Sequence, residues 1–307
     1  MQARRKYGGA KCDDSGTLRL VEEASLPTAF VFAGGGSLGA IEAGMLRALI
    51  AHGERADFIV GASAGAINGA YFAGDPCPSG IDKLEAIWRG LKREHIFPLG
   101  WRNILQLILR RDHLVPSHGL RRLLEEYLPY RRLEDARIPV HVVATDLATG
   151  AEVVLKRGPA IEAILASAAI PGVFPSVNLD GRELVDGGVC NNTPISTAVQ
   201  LGADRIVVLP TGFACAVERI PTSAIGKALH SLNLLVARQL ANDIERYCER
   251  VRLHVVPALC PLEVSAYDYT SCASLIERAA QSTLAWIARG GLASLAPSTH
   301  VLREHAH

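Results

Sequence analysis

The pentapeptide Gly61-Ala62-Ser63-Ala64-Gly65 is the most informative stretch of this chain. It follows an apolar run at residues 58–60 and precedes a helix-like run at residues 66–72. A serine in a tight turn between a strand and a helix is typical of a nucleophile elbow, because small neighbours avoid clashes and the turn lifts the hydroxyl group clear of the backbone at a helix N-terminus. Ser63 is therefore a candidate nucleophile. A close-packed turn without chemistry is the alternative that this pentapeptide alone leaves open.

Upstream of the elbow, the loop Gly34-Gly35-Gly36-Ser37-Leu38-Gly39 joins a predicted buried strand at residues 29–33 to a predicted helix at residues 41–50. Unobstructed N–H groups at the positive end of a helix dipole can hold an anion. The first, third and sixth residues of the loop match the dinucleotide fingerprint G-x-G-x-x-G, which requires an acidic residue at the end of the next strand. That strand runs instead into the elbow, which favours an oxyanion hole for the attack of Ser63 on an ester carbonyl. The predicted donors are the N–H groups of this loop together with that of Ala64.

A third segment, Asp186-Gly187-Gly188, follows a predicted strand at residues 183–185 and supplies a candidate base. Glycines after a strand-terminal Asp let a substrate or another backbone approach its carboxylate, although most such runs are only turns. A free Asp has a pKa of about 3.9. Burial beside Val185 and Val189 must therefore raise the basicity of Asp186, or the oxyanion hole must provide most of the catalysis. Asp146, after the strand predicted at residues 138–144, is interpreted as a turn-forming residue.

The composition limits the classes to which the chain can belong. Its 307 residues suit one large α/β domain, and 32 basic against 31 acidic residues argue against a nucleic-acid-binding protein. Seven scattered cysteines without a Cys-x-x-Cys pair argue against a disulfide framework or a zinc site and favour a reducing, cytoplasmic location. The first 16 residues lack the apolar core of a signal peptide, and no charge-free run is longer than 18 residues, so a membrane-spanning helix is not expected.

Strands and helices alternate along the chain, which predicts an α/β fold. Residues 152–155 are expected to pair back on the strand at residues 138–144 as a hairpin, and Asn191-Asn192-Thr193-Pro194 is expected to cap a helix at residues 195–201. The expected organisation is a polar lead-in at residues 1–26, one main domain at residues 27–290 and a C-terminal tail at residues 291–307.

The segment at residues 96–114 combines an apolar body with basic ends. Across residues 89–137, eleven basic residues stand against six acidic ones. One hypothesis makes this segment an interfacial or lid element that approaches anionic lipid headgroups through Arg110 and Arg111. A core helix with solvated arginines is the structural alternative.

Five blocks occur together in order and resemble the patatin-like phospholipase family, specifically its bacterial-type members, over residues 28–290. They are the glycine loop at 34–39, the elbow at 61–65, Ala-Thr-Asp-Leu at 144–147, Ala-Ser-Ala-Ala-Ile-Pro-Gly-Val-Phe-Pro at 166–175 and Asp-Gly-Gly at 186–188. The resemblance implies a three-layer α/β/α sandwich with a mainly parallel central sheet. It also implies calcium-independent hydrolysis of lipid acyl esters by a Ser-Asp dyad, without a metal or a cofactor. Carried over by position, Ser63 is the nucleophile, Asp186 is the base, and Gly34, Gly35 and Gly36 supply oxyanion donors.

The chain departs from the family at Leu38, where many members have Arg or Lys, so backbone donors would have to stabilise the oxyanion without that cation. The expected partner is a lipid or ester substrate, and no nucleic acid is expected. Peripheral contact with the inner face of a membrane is a further hypothesis.

Two other functions stay open on the sequence. A Ser-Asp-His triad of an α/β-hydrolase would combine Ser63 with Asp146 or Asp204 and with His230 or His254, although that fold normally places several strands before its nucleophile. A non-catalytic lipid-binding member of the patatin-like family would keep the pocket and lack esterase activity.

Overall fold

The computed structural model describes residues 27–97, 115–212, 224–260, 262 and 264–294, together with the backbone of residues 11–12 and 18–19. Its strands are β1 (Lys11–Cys12), β2 (Leu18–Arg19), β3 (Thr28–Phe32), β4 (Phe58–Ala62), β5 (Val140–Asp146), β6 (Glu152–Leu155), β7 (Val177–Leu179), β8 (Arg182–Asp186), β9 (Arg205–Leu209) and β10 (Arg252–Val255). Its helices are α1 (Gly39–Ala51), α2 (Ala64–Gly74), α3 (Pro78–Gly90), α4 (Arg93–Ile96), α5 (His118–Tyr127), α6 (Ala160–Ser167), α7 (Gly188–Asn191), α8 (Ile195–Gln200), α9 (Ala224–Tyr247) and α10 (Cys272–Ala288).

Strands β3 to β10 form one mixed sheet, in which the strands around the elbow are parallel. Strands β10, β9, β3, β4 and β5 follow one another in that spatial order, and each pair of neighbours is parallel. Antiparallel pairs join β6 and β8 to β5, and β7 to β8. The glycine loop follows β3 and the elbow follows β4, so both lie at the carboxyl edge of adjacent parallel strands, as expected for ligand-binding loops of such sheets.

Strand β5 brings the ends of two other strands together. Strand β6 pairs with residues 142–145 of β5 and therefore occupies one edge of that strand. On the opposite edge, β4 pairs with residues 140–143 and β8 pairs with residues 144–146 in the reverse direction. Ala62 lies opposite Val143 and Asp186 lies opposite Ala144. The chain therefore leaves β4 toward Ser63 beside the point where β8 ends at Asp186.

Helices cover both faces of the sheet, because successive residues of its buried strands point to opposite sides. One core contains Phe30 and Phe32 of β3 together with buried side chains of α1, α2, α3 and α10. The other core contains Val31 of β3 and Val60 of β4, packed against α8 and α9. The three-layer α/β/α architecture with a mainly parallel sheet is thus confirmed.

Most predicted elements are present with small shifts at their ends. The hairpin is confirmed, since β6 pairs antiparallel with β5. The expected capping of α8 is wrong: its N-cap is Pro194, which makes no side-chain capping bond, and the side chain of Asn192 donates instead to the carbonyl oxygen of Gly34. Arg110 and Arg111, with most of the hypothetical lid, lie outside the described residues. None of the described helices combines the length and the apolar character needed to cross a bilayer.

Candidate active site

Ser63 occupies a strained turn between β4 and α2. Its backbone torsions are φ 53° and ψ −124°, in a region that side-chain-bearing residues rarely adopt. A Cβ atom at Gly61 would lie 2.5 Å from the carbonyl oxygen of Gly65, and one at Gly65 would lie 2.5 Å from the carbonyl group of Phe32. The predicted need for small residues on both sides of Ser63 is therefore confirmed.

The hydroxyl group of Ser63 donates a hydrogen bond to a carboxylate. Its Oγ lies 2.7 Å from Oδ2 of Asp186, across 123 positions of sequence. The other carboxylate oxygen, Oδ1, accepts the N–H of Gly188 at 2.7 Å. Thr145 Oγ1 donates to the carbonyl oxygen of Asp186 at 2.8 Å, which holds the end of β8 in place. The two residues predicted as nucleophile and base are thus in direct contact.

The carboxylate of Asp186 is buried, and only 5% of the residue is exposed. Burial raises the pKa of Asp186 from 3.8 to about 6, although the hydrogen bonds from Ser63 and Gly188 partly oppose this rise. Val185 is itself buried, whereas 59% of Val189 is exposed, so the expectation that both valines bury Asp186 fails for Val189. A carboxylate with this pKa is a better proton acceptor than a free Asp and remains ionised at neutral pH.

The glycine loop presents a subset of the predicted donors. The N–H of Gly34 donates to the carbonyl oxygen of Asn192 at 2.9 Å, so it is occupied within the protein. Within the part of the chain that the structure describes, the N–H groups of Gly35, Gly36 and Ala64 have no acceptor. Gly36 and Ala64 line the same cavity as Ser63.

Hydrogen bonds from distant segments fix the glycine loop. The carbonyl oxygen of Gly34 accepts from Thr211 Oγ1 at 2.7 Å and from Asn192 Nδ2 at 3.2 Å. Further along the loop, the N–H of Ser37 donates to the carbonyl oxygen of Ala266 at 2.8 Å. The loop backbone is therefore held before any substrate binds, as an oxyanion site requires.

A buried Glu42 joins the two ends of this loop. Its Oε1 accepts the N–H of Ala33 at 2.7 Å, and its Oε2 accepts from Asn68 Nδ2 at 2.7 Å. Asn68 Nδ2 also donates to the carbonyl oxygen of Gly39 at 2.8 Å, and its Oδ1 accepts from Trp88 Nε1 at 2.8 Å. Complete burial raises the pKa of Glu42 well above its usual value, against the opposing effect of these hydrogen bonds.

An apolar cavity opens beside Ser63. Its interior offers about 80 Å³ of accessible space, and Ser63, Gly36 and Ala64 lie in its wall. Most other lining side chains are aliphatic or aromatic, and they include Ile67, Leu84, Trp88, Leu91, Phe97 and Phe174. Such a lining suits a hydrocarbon chain rather than a polar ligand.

The residues of the rival Ser-Asp-His triad are not assembled around Ser63. His254 is buried on β10, and β9 and β3 lie between that strand and β4. Asp204 pairs with Arg252 at 3.3 Å, and Oδ1 of Asp146 accepts the N–H groups of Ala148 and Thr149, as a turn-forming residue does. The side chain of His230 lies outside the described part of the chain.

Sequence reasoning missed the residues that support the site. Ser167 Oγ accepts the N–H of Ser63 at 2.9 Å and donates to the carbonyl oxygen of Val143 at 2.6 Å, which links the elbow to β5. Ser167 lies in one of the five blocks, so its position was noted without a role. Polar residues within apolar segments, such as Glu42 and Asn68, give the signal that could have found the network under the glycine loop.

A strained serine bonded to a buried carboxylate beside an apolar cavity defines a candidate acyl hydrolase. The sequence profile of the family described as patatin-like phospholipase matches residues 30–199. The chain therefore belongs to the patatin-like phospholipase family, whose members are lipid acyl hydrolases.

Relatives match this chain over part of their length. Patatin-like phospholipase domain-containing protein ZK370.4 of Caenorhabditis elegans is 28% identical over 211 residues, which cover 68% of this chain and 15% of the relative. For patatin-like phospholipase domain-containing protein 6 of Homo sapiens, 26% identity extends over 251 residues, or 81% of this chain and 17% of the relative. Uncharacterized NTE family protein Mb1092c of Mycobacterium bovis is 32% identical over 199 residues, or 62% of this chain and 51% of the relative. The chain thus spans less than a fifth of the two animal proteins.

The crystal structure of VipD from Legionella pneumophila is also similar. It matches with a TM-score of 0.46 at 14% sequence identity, over 94% of this chain and 72% of that one.

Proposed function

We propose that this chain hydrolyses carboxylic esters of phospholipids, lysophospholipids or simpler lipids through an acyl-enzyme on Ser63. The observation that carries the proposal is the 2.7 Å hydrogen bond from Ser63 Oγ to Asp186 Oδ2 at the wall of an apolar cavity. The proposal includes peripheral contact with a membrane surface on its cytoplasmic side, where such substrates reside.

In the first half-reaction, Ser63 Oγ attacks the ester carbonyl carbon while Asp186 Oδ2 accepts the hydroxyl proton. The carbonyl electron pair moves to oxygen, and the N–H groups of Gly35, Gly36 and Ala64 stabilise the resulting oxyanion. The tetrahedral intermediate collapses with cleavage of the ester C–O bond. Asp186 returns its proton to the departing alkoxide, and the acyl group stays on Ser63.

In the second half-reaction, water replaces the alcohol. Asp186 accepts a proton from the water molecule as its oxygen attacks the acyl carbon, and the same N–H groups stabilise the second oxyanion. Collapse of this intermediate breaks the bond to Ser63 Oγ, which recovers the proton from Asp186. The products are a free fatty acid and the unmodified enzyme.

Leu38 leaves the stabilisation of the oxyanion to the backbone. Its side chain packs against the apolar core rather than supplying a cation. Removal of one preorganised donor typically costs about a hundredfold in rate or more, and the three available N–H groups lie in a rigidly bonded loop and at the start of α2. Gly34 is omitted from the proposed donors because its N–H already has an acceptor.

The test compares four variants on p-nitrophenyl esters and with a fluorophosphonate probe. Ser63→Ala and Asp186→Asn are expected to lower kcat/KM by about a thousandfold or more, and Ser63→Ala is expected to abolish labelling. Asp146→Asn is the matched carboxylate control, because Asp146 also ends a strand but serves a turn. His254→Ala tests the rival triad. Unfolding midpoints verify that each variant is folded.

The outcomes separate the candidate functions. Near-full activity of Asp186→Asn would remove the dyad, and loss of activity in His254→Ala with an active Asp186→Asn would favour the rival triad. A folded wild-type protein that neither labels nor hydrolyses any ester of the series would be a lipid-binding member of the family instead.

A further inference from the structure

The amino-terminal half of α9 carries a cluster of exposed side chains among its described residues. Residues 231–235, Ser-Leu-Asn-Leu-Leu, are exposed at every position, which covers more than one full helical turn. The exposed fractions are 56% for Leu232, 48% for Leu234 and 66% for Leu235. Further along the same helix, Leu240, Ile244 and Tyr247 are buried in the core. Among its described side chains, α9 therefore packs on the sheet through its carboxyl-terminal half, whereas residues 231–235 are exposed.

The direction of α9 places its exposed residues 231–235 toward the same edge of the sheet as the candidate site. Strand β9 is parallel to β3 and ends at the carboxyl edge, and β10 begins at the opposite edge in register with β9. Helix α9 connects the two edges and ends shortly before β10, so its first residues lie on the side of the glycine loop and the elbow. Its 24 residues span about 36 Å, which exceeds the length of the five-residue β9.

A hydrogen bond joins α9 to the segment that follows the candidate base. Gln239 Nε2 donates to the carbonyl oxygen of Cys190 at 2.7 Å. Leu235 and Leu232 precede Gln239 by four and seven residues, so they share its helix face. Val189, beside Cys190, and Leu147, just past β5, add two more exposed apolar side chains near this edge. Among the described residues, these two and the three leucines make five of the eight large apolar side chains that are exposed.

The charged residues in the first nineteen residues of α9 are basic. Residues 224–242 contain Lys227, His230 and Arg238 and no Asp or Glu. Lys227 and Arg238 are both exposed. A helical segment with exposed leucines and only basic charges suits the interface of a bilayer with anionic lipids.

From these observations we propose that Leu232, Leu234 and Leu235 of α9 insert into an anionic lipid surface and hold the carboxyl edge of the sheet against it. This docking surface rests on the proposed function, because it orients the mouth of the cavity toward lipid substrates. The proposal assigns membrane binding and catalysis to different residues. The leucines bind the lipid surface, and Ser63 attacks the ester.

Vesicle flotation tests the docking surface directly. The protein carries Ser63→Ala so that the vesicles stay intact, and the vesicles contain either phosphatidylcholine alone or phosphatidylcholine with phosphatidylglycerol. The test variant is Leu232→Gln with Leu235→Gln, which removes apolar surface without adding charge and keeps a good helix former. The matched control is Leu201→Gln with Leu284→Gln, which changes two exposed leucines elsewhere, one directly after α8 and one in α10.

We expect the test variant to lower the vesicle partition coefficient by about tenfold or more, and the control to stay within about twofold of the parent. Adding Arg238→Glu is expected to reduce binding further on anionic vesicles only, by roughly fivefold or more. In the Ser63 background, the test variant should hydrolyse p-nitrophenyl butyrate, a soluble ester, at the wild-type rate.

Three outcomes would overturn the docking surface: equal partition of the test variant and the parent, an equal loss in the control, or no binding of the parent to either vesicle. Size-exclusion chromatography adds a fourth, since a dimer that dissociates in the test variant without loss of vesicle binding would assign the leucines to a second copy of this chain. Failure of the proposed function looks different: the wild-type protein would not hydrolyse soluble esters, while flotation would still depend on the leucines.

Discussion

At the scale of single residues, the proposed basicity of Asp186 comes from the free-energy cost of burying its ionised carboxylate. Burial raises the pKa of Asp186 to about 6, which improves the carboxylate as a proton acceptor. Ser63 bears a second cost in its positive φ of 53°. Both are local free-energy costs, and the packing of the surrounding sheet and helices has to offset them.

The pKa of Asp186 predicts the pH dependence of the activity. Only the ionised carboxylate accepts the Ser63 proton, so kcat/KM should follow a single ionisation near pH 6 and fall by about tenfold per pH unit below it. Initial rates on a soluble p-nitrophenyl ester between pH 4.5 and 8 measure this profile. A rate that stays constant down to pH 5 would contradict the assignment of Asp186 as base.

The raised pKa of Asp186 also predicts how the stability of the protein depends on pH. In the folded state the pKa of Asp186 is raised from 3.8 to about 6, so the folded protein retains a proton that the unfolded chain releases. The associated stabilisation is present below pH 4 and is lost as the pH rises through 6. The free energy of unfolding of the wild type, relative to Asp186→Asn, should therefore fall by about 2.5 kcal/mol between pH 4 and pH 8.

Denaturant titrations of both proteins at the two pH values test this expectation. The comparison with Asp186→Asn removes contributions that the two proteins share, such as that of Asp243, whose pKa is also raised to about 6 by burial. A difference that stays constant with pH would mean that the folded state does not perturb the carboxylate.

At the scale of secondary-structure elements, the glycine loop is held at both of its ends by Glu42 of α1. Its carboxylate bonds directly to Ala33 and, through Asn68 of α2, to Gly39. The loop backbone is thus linked to two helices, and the geometry of its donors depends on a side chain that does not reach the cavity.

We expect Glu42→Ala to lower kcat by about tenfold or more and to reduce the free energy of unfolding by about 2–5 kcal/mol, because the Ala33 N–H and the Asn68 amide lose a buried acceptor. Glu85→Ala is the matched control. Glu85 is also buried, but it bonds to Arg47 and Arg89, and among the described residues no hydrogen bond joins it to the loop.

Steady-state kinetics and denaturant titrations of the two variants separate a positioning effect from a loss of stability. Glu85→Ala should destabilise the protein and leave kcat within about threefold of the wild type. Equal losses of kcat in both variants would show that Glu42 acts on stability alone.

The sequence allowed the elements around the site to be predicted better than the contacts between them. Small residues around Ser63, the glycine run and the Asp-Gly-Gly segment carry local conformational signals, which can be read without the rest of the chain. The acceptor for the Gly34 N–H, the bond from Ser63 to Ser167 and the meeting of β4 with β8 involve residues more than a hundred positions apart. They depend on tertiary packing, for which single-sequence patterns contain no signal. The expected cap of α8 was wrong for the same reason, since Asn192 has a better partner in a distant loop.

At the scale of the whole molecule, the apolar cavity predicts a preference for longer acyl chains. Each methylene group that leaves water contributes about 0.8 kcal/mol, or roughly fourfold in kcat/KM. The efficiency on p-nitrophenyl esters should therefore rise with chain length from acetate upward and level off when the chain fills the cavity.

A cavity-blocking variant provides the control for this series. Ile67 lines the cavity one helical turn after Ser63, so Ile67→Trp should lower kcat/KM for long-chain esters and change it little for the acetate ester. Equal losses on all chain lengths would indicate damage to the elbow instead, and a flat series in the wild type would mean that acyl chains bind elsewhere.

The meeting of β4 and β8 on one edge of β5 also bears on how the protein forms. Ser63 and Asp186 come within reach only after three strands from distant parts of the chain have found their register. The rate at which Ser63 becomes reactive toward a fluorophosphonate therefore reports when these strands have assembled during folding. In a refolding time course, the label should appear on Ser63 after helical signals have recovered, at the moment when the last of these strands docks.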